Sequence, residues 1–439
     1  MKKMALALLL TFFCLTGSCQ CTLEEPLQLP EKIQQEEAPP PEEEIILDDQ
    51  NKPPFDNYKI ALYTPWYNKY TVWEEAFFTA KFALERYPDN IIHTTIPESF
   101  DYVLSRYYDD TPYDEKKEEE IISLCLMTGL DMIKDPEVKV FIVNQFDSPT
   151  LQNLTFKLFT EIRKQRPDIL VVALDCYTTT IFDLATVEEV STLCNLADLL
   201  VSIDEMEMCK QMVKQAQKLG AETIFFYYWK RWLDYDINIT KYEMVKQTCQ
   251  ELGLKFVSLD MEIVAGPIPV ARLDLPNQVR NYGKHTNFIC PDDLYYQPLI
   301  GVALLTGAIC AQPWYPDMGQ FFGDSMLGGE SAWFKIDEDN ANDIDLWIED
   351  IKEKVAKKDG AGRASTWRVP PAMLATTAAV EYAIAYCEGK TQGKVDIEVM
   401  RDCFSKGMEI YNAAGTGFEL NRHPDYGNHF LFTEDYIVF

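Results

Sequence analysis

From residue 58 onward, short apolar runs rich in β-branched and aromatic residues alternate with longer stretches in which apolar residues recur every three or four positions. The runs are 59–63 (KIALY), 90–95 (NIIHTT), 138–144 (VKVFIVN), 169–174 (ILVVAL), 197–203 (ADLLVSI), 223–228 (TIFFYY), 255–259 (KFVSL), 287–290 (NFIC) and 308–311 (AICA). Several are almost continuously apolar, the pattern of parallel strands covered on both faces. Residues 205–219 place Met206, Cys209, Met212, Val213 and Ala216 on one side and Lys210, Lys214 and Lys218 on another, with Gly220 just past the end. That pattern predicts an amphipathic helix with a glycine stop. Stretches 118–133, 151–166, 242–252 and 294–305 behave similarly. The alternation implies βαβ units with right-handed crossovers. Five strands precede Glu205 and four follow it, which fits two doubly wound sheets of comparable size better than one giant sheet. Beyond Trp314 the texture changes: helices are expected at 342–358, 371–387 and 397–408, and an apolar, strand-like run closes the chain at 430–439.

The start of the chain has a separate logic. Lys2 and Lys3, an apolar run at 5–15 and small residues before Cys19 read as an export signal, and the run is too short for a stable membrane span. Thr16-Gly17-Ser18-Cys19 is a loose bacterial lipobox with Thr16 where Leu or Val is usual, so Cys19 is expected to carry lipid. The plain alternative is an ordinary cleaved signal and a secreted protein. Residues 22–52 are rich in Glu, Pro and Gln and lack the apolar content to fold, as in a tether. The expected organisation is therefore a signal peptide at 1–18, a tether at 19–56, an N-terminal lobe at 57–206, a C-terminal lobe at 207–314, and helical and lobe-completing segments at 315–439.

Composition narrows the function classes. The 439 residues carry a formal charge of -30, which argues against nucleic acid and against electrostatic adhesion to anionic lipid. Nine cysteines follow Cys21, scattered singly and mostly in apolar runs, where Cys behaves as a small buried hydrophobe. The four histidines, His93, His285, His423 and His429, form neither an HExxH motif nor a Cys/His cluster, so no metal site is expected. His93 lies in a strand run and reads as a satisfied core residue. Gly-x-Ser-x-Gly is absent. Pro65-Trp66-Tyr67 stands where a dinucleotide enzyme would carry glycines, and Gly415-Thr416-Gly417 reads as a turn.

The order and wording of the segments VKVFIVNQF, RPDILVVAL, ADLLVSIDE, VKQTCQELGLKFVSLD, YGKHTNFICPDD, QPLIGVALLTGAICAQPW, GRASTWRVP and GNHFLFTEDYIVF are familiar. The chain resembles an uncharacterised family of exported bacterial proteins with a type I periplasmic-binding-protein fold, over nearly all of residues 58–439. The resemblance implies two Rossmann-like lobes joined by a hinge, near residues 204–206 with further crossings after Trp314, and a small molecule held in the cleft. In the wider superfamily such proteins deliver sugars, nucleosides or amino acids to an ABC transporter or a receptor, and others are effector domains of transcription regulators. No helix-turn-helix precedes Tyr58, and an export signal does.

Candidate ligand residues follow from the rule that open α/β sheets bind ligands beyond the C-terminal ends of their strands. In the first half these are Trp66 and Tyr67, Asn144 and Gln145, Asp175 and Tyr177, and Asp204. The second half adds Trp229 and Arg231, Asp260, Asp292 and Asp293, and Gln312 and Trp314. Paired hydrogen-bonding groups beside flat aromatic faces suit a neutral polar ligand, sugar- or nucleoside-like. Each has a plainer reading: Asp204 as the cap of the helix that follows, Trp66 and Trp314 as packing aromatics, Asn144 as a loop-satisfying amide, Arg231 as a surface partner of Asp234. The expected function is noncovalent solute capture, without cofactor or reaction, with a small-molecule ligand and an ABC-transporter permease or receptor as partners and membrane contact only through the N-terminal lipid. A surface sensory module of the same fold and a carbohydrate-active enzyme using two cleft carboxylates are the alternatives.

Overall fold

The computed structural model describes residues 52–65, 71–100, 102–103, 114–144, 149–174, 195–234, 236–261, 270–291, 293–318 and 342–439. Five parallel strands begin it: β1 (Lys59–Thr64), β2 (Ile91–Thr95), β3 (Val138–Asn144), β4 (Leu170–Leu174) and β5 (Leu199–Ile203). They lie in the order β2-β1-β3-β4-β5, with Ile60 opposite both Ile91 and Val140, and Val143 opposite Ala173. The alternation of side chains explains their apolar character. Ile60, Leu62, Val140 and Ile142 enter one core, and Ala61, Tyr63, Phe141 and Val143 enter another on the opposite face. Helix α1 (Thr71–Arg86) serves the first core, and α2 (Glu115–Met132) and α3 (Pro149–Gln165) the second.

A second sheet repeats the plan. After α4 (Glu205–Lys218) come β6 (Thr223–Tyr228), α5 (Asp236–Glu251), β7 (Lys255–Asp260), α6 (Leu275–Tyr282), β8 (Thr286–Ile289) and α7 (Asp293–Thr306). The strands are parallel in the order β7-β6-β8. Ile309 then bridges Asn287 and Cys310 bridges Ala364, both parallel, so the 308–311 run occupies a strand position through single bridges rather than a ladder. Phe225 and Tyr227 face one core, Ile224 and Phe226 the other. Asp204 caps α4 through Glu207 N (3.0 Å), and Gly220 takes φ +90 just beyond its end, so the helix stops where its sequence says it should.

The C-terminal third serves both sheets. Gly360 lies against Val355 of α8 (Ile344–Ala356) and Leu304 of α7, which sets α8 on the second lobe. Next, β9 (Ser365–Trp367) joins that lobe. Helices α9 (Pro371–Cys387) and α10 (Ile397–Ile410) pack on the first sheet, and α9 is buried on nearly all sides, as its all-round apolar composition requires. Strands β10 (Phe418–Arg422) and β11 (His429–Glu434) extend the first sheet, β11 lying parallel to β5. Finally β12 (Tyr436–Val438) pairs antiparallel with β9. The run expected at 430–439 is thus two strands in different sheets, broken at Asp435. Neither α1 nor α6 was marked by the apolar periodicity.

Among the described residues these connections form three interlobe crossings, and their directions fix the geometry. The chain leaves the C-terminal end of β5 at Asp204 and enters α4 of the second lobe. It returns from the end of β9 through Val369 into α9. A single residue, Asp435, then separates the end of β11 from the start of β12, which begins beside Trp367 at the end of β9. Since β11 runs with β5, and β9 runs with the second sheet, the last two crossings join the C-terminal edges of the two sheets.

Candidate functional site

Both sheets share the order second-first-third-fourth, in which the chain reverses direction of winding between the first and third strands. That switch point is where the C-terminal edge of such a sheet opens a crevice. In the first lobe it lies between Thr64 and Asn144, in the second between Tyr228 and Cys290. Because the crossings bring the two edges together, the crevices share one interlobe region.

On the first lobe, Asn144 ends β3 and is 2% exposed. Its Nδ2 donates to Thr376 Oγ1 of α9 at 2.7 Å, and its Oδ1 has no hydrogen-bond partner among the described residues. A buried amide oxygen left this way is costly and calls for an explanation. Next to it, Thr64 Oγ1 lies 2.8 Å from His93 Nε2, and His93 also packs against the Phe77 ring at 5.6 Å. Burial pushes the His93 imidazole down to about 4, with Lys81 adding to the effect, so the ring is neutral at neutral pH. His93 is therefore satisfied, as its strand position suggested. Asp204 is the N-cap of α4, and its own N–H donates to Phe432 O at 2.8 Å.

On the second lobe, Trp314 is half-buried, edge-on to Trp232 (5.7 Å) and Phe226 (6.1 Å). Lys241, 1% exposed, donates to Glu205 Oε1 at 2.5 Å, and its ammonium stands 6.0 Å from the Trp314 ring. This pair links the first turn of α4 to α5 beneath the aromatic group; a buried ammonium demands such a partner. Asp260 ends β7, half-buried, opposite Tyr228. Trp229 and Gln312 have gone inside instead. Trp229 is a member of the apolar core, and Gln312 is fully buried, its Oε1 accepting from the Tyr436 hydroxyl. Arg231 lies in the 3-10 turn Lys230–Asp234, and Asp293 is the first residue of α7. Trp66, Tyr67, Gln145, Asp175, Tyr177, Asp292 and Cys19 lie outside the described residues.

The hinge holds further polar groups, at strand ends that the sequence pattern did not bound. Glu434, at the end of β11, accepts Val369 N at 2.8 Å, so one carboxyl ties the second crossing to the third. It is 2% exposed, and burial raises its pKa well above the usual carboxylate range, against the pull of the Val369 and Arg368 amides. Gln211 and Gln215 of α4 add bonds to Thr433 and Ser365, both at 3.0 Å, one to each sheet. Glu434 and Arg368 were missed because the ends of β11 and β9 were not bounded from the sequence, and Thr376 and Tyr436 because they lie far along the chain from Asn144 and Gln312, which they bond.

The remaining chemistry is quiet. The seven described cysteines are free and buried, and burial pushes thiols such as Cys125 and Cys249 up to about 12, which leaves them unreactive. Among the described residues no three His, Cys, Asp or Glu side chains are grouped to hold a metal ion. A shallow depression lined by Glu243, Lys246, Gln247, Gln250 and Glu251 belongs to the outer face of α5, away from the strand ends.

Residues 58–365 match the family described as "Protein of unknown function (DUF3798)". The chain belongs to this family. A Treponema pallidum (strain Nichols) protein, described as uncharacterized, is 24% identical over 186 residues, which are 41% of this chain and 79% of that one. Among solved structures, a Clostridium difficile 630 protein, described provisionally as a transcriptional regulator, is similar with a TM-score of 0.65 at 20% identity, covering 88% of this chain and 99% of its own. A sugar ABC transport system substrate-binding protein from Bordetella parapertussis 12822 is similar with a TM-score of 0.44 at 9% identity, covering 88% and 89%. The architecture of this DUF3798 member is thus the two-lobed, periplasmic-binding-protein-like α/β fold that the sequence resemblance implied.

Proposed function

We propose that the protein is a solute-binding protein that captures a small, polar, sugar- or nucleoside-like molecule between its lobes. The observation that supports this most is the meeting of two switch-point edges across three crossings. One edge presents a buried Asn144 with an unused acceptor, the other a half-buried Trp314 ring and the Asp260 carboxylate. An amide and a carboxylate can each hold a hydroxyl or amide, and an indole face covers the apolar side of a sugar or base. Closure over the guest is favoured because only the closed state touches it from both sides. Export, a lipid at Cys19, and delivery to an ABC-transporter permease or a receptor complete the reading. Among the described residues no helix is long and apolar enough to cross a membrane. Binding requires no cofactor and no reaction.

A thermal-unfolding screen of the chain without residues 1–18 against sugars, nucleosides and amino acids tests the reading. One compound should raise the midpoint, with about 2.7 kcal/mol of added stability at a hundredfold excess over Kd. Trp314→Ala, and Trp66→Ala with it, should weaken that gain by tenfold or more in affinity while both lobes still fold. A ligand whose affinity neither substitution alters would place the site elsewhere, and turnover of a sugar during the screen would favour the enzymatic alternative.

A further inference from the structure

At the second crossing the lobes also meet through a polar ring that reaches the surface. Arg368 follows β9 on the second crossing, and its Nη2 donates to Asp345 Oδ1 at 2.5 Å and to the Asn412 carbonyl at 3.1 Å. Asn412 Nδ2 in turn donates to Asp345 Oδ2 at 3.2 Å. The three residues close a ring in which each oxygen of Asp345 has its own donor. Asp345 lies in the first turn of α8, on the second lobe. Asn412 follows the C-cap Tyr411 of α10, on the first. Its φ of +53 is left-handed, a conformation that Asn tolerates better than most residues, and it turns both the carbonyl and the side chain of this residue into the ring.

We propose that Asp345, Arg368 and Asn412 form an interlobe latch that holds the present lobe arrangement and sets how readily the cleft changes its opening. The other contacts along the hinge differ in kind. Glu434 with Val369, and Asp204 with Phe432, tie the crossings to one another, with Glu434, Val369 and Phe432 buried. The ion pairs of Glu381 with Arg86 and Lys406 stay inside the first lobe, among α9, α1 and α10. Among the described residues, only the ring around Arg368 connects α8 of one lobe to the end of α10 on the other and reaches solvent, with the Asp345 side chain 48% and the Arg368 side chain 20% exposed. An exposed ion pair adds little to folding, because water replaces each bond in the unfolded chain. Between two lobes that are already folded, the same bonds act mainly on how the lobes sit against each other. Breaking them costs nothing in the core and is repaid by water at the rim.

The latch gives the solute-binding reading a control on closure, and it rests on that reading for its purpose; its test needs no ligand. Cysteine-independent probes placed at Glu120 on α2 and Gln247 on α5, both exposed, report the interlobe distance in the ligand-free chain. The wild type should give one narrow distribution. Asp345→Ala and Arg368→Ala should broaden it or move its mean, and Asp345→Asn, which keeps the shape but loses the charge, should give an intermediate result. The unfolding midpoint of Asp345→Asn should stay within a few degrees of wild type, so a folded variant is available even if Arg368→Ala is damaged. Distance distributions of Asp345→Ala and Asp345→Asn that superimpose on wild type would overturn the latch while leaving the ligand reading standing. A shifted distribution in a protein that binds nothing from the screen would do the reverse.

Discussion

Replacing Trp367 by Ala is expected to cost about 3–5 kcal/mol, the range for deleting a large ring from a packed core. Trp367 is fully buried on β9, lies opposite Tyr436 of β12, and stacks obliquely on Phe432 of β11 at 5.9 Å. Phe432 pairs with Ile203 at the end of β5, and the Phe404 ring of α10 lies 5.1 Å from it. The ring is therefore the apolar joint between the two sheets, sitting where two crossings meet. Its removal leaves a cavity that belongs to neither lobe alone, and each lobe keeps its own second core, one beneath α2 and α3 and one beneath α4 and α5. Denaturant unfolding followed by circular dichroism should thus show two things: a lower midpoint and a broader or two-step transition as the lobes uncouple. A loss below 1 kcal/mol with an unchanged single transition would mean that Trp367 does not join the lobes.

Acid should destabilise the protein steeply below pH 6.5, and His429 should carry much of the effect. His429 is wholly buried on β11, with Nε2 2.6 Å from Ser202 Oγ of β5, and stacks on His423 at 5.2 Å. Burial, with the neighbouring His423 second, pushes its imidazole down to about 3. Above pH 6.5 the group is neutral in both states and contributes nothing to the pH dependence. Between pH 6.5 and 3 only the unfolded chain takes up the proton, so stability falls as pH falls. At 1.36 kcal/mol per pH unit, that window is on the order of 5 kcal/mol. His93, down to about 4, acts in the same direction. Glu434 acts in the opposite one: its raised folded value makes the native state the stronger proton binder, so its contribution is present below pH 4.5 and is lost as pH climbs through the raised value. Guanidinium midpoints between pH 4 and 7 should therefore decline toward acid in the wild type and decline less in His429→Gln, while Glu434→Gln, which keeps an acceptor for Val369 N, should gain most at the alkaline end. Parallel curves for wild type and His429→Gln would contradict the assignment.

How far the sequence could be read depended on the range of the forces involved. The runs VKVFIVN and TIFFYY became β3 and β6 with their stated limits, because a strand covered on both faces must be apolar at every position. Helix α4 was bounded by Asp204 and Gly220, whose capping roles are local and depend on side-chain type. By contrast, nothing near Asp435 announces that a single residue moves the chain from one sheet to another; the break follows from where β5 and β9 already stand. Asn144 was legible as a strand end, but its partner Thr376 is 232 residues away and arrives on α9 only after the chain has built and left the second lobe. The strand-end rule also could not separate Trp314, half-buried at the rim, from Trp229, which closes into the core. Both are tryptophans just past a strand, and the difference lies in the packing around them rather than in any local pattern.

The account stands on the claim that the two facing edges hold one small polar guest, and native mass spectrometry of the purified chain, before and after adding the best compound from the thermal screen, tests it most directly. The account predicts a single adduct of small-molecule mass at one per chain, released on denaturation and depleted in Trp314→Ala. A bare chain mass under every condition, with no compound shifting the unfolding midpoint, would contradict it.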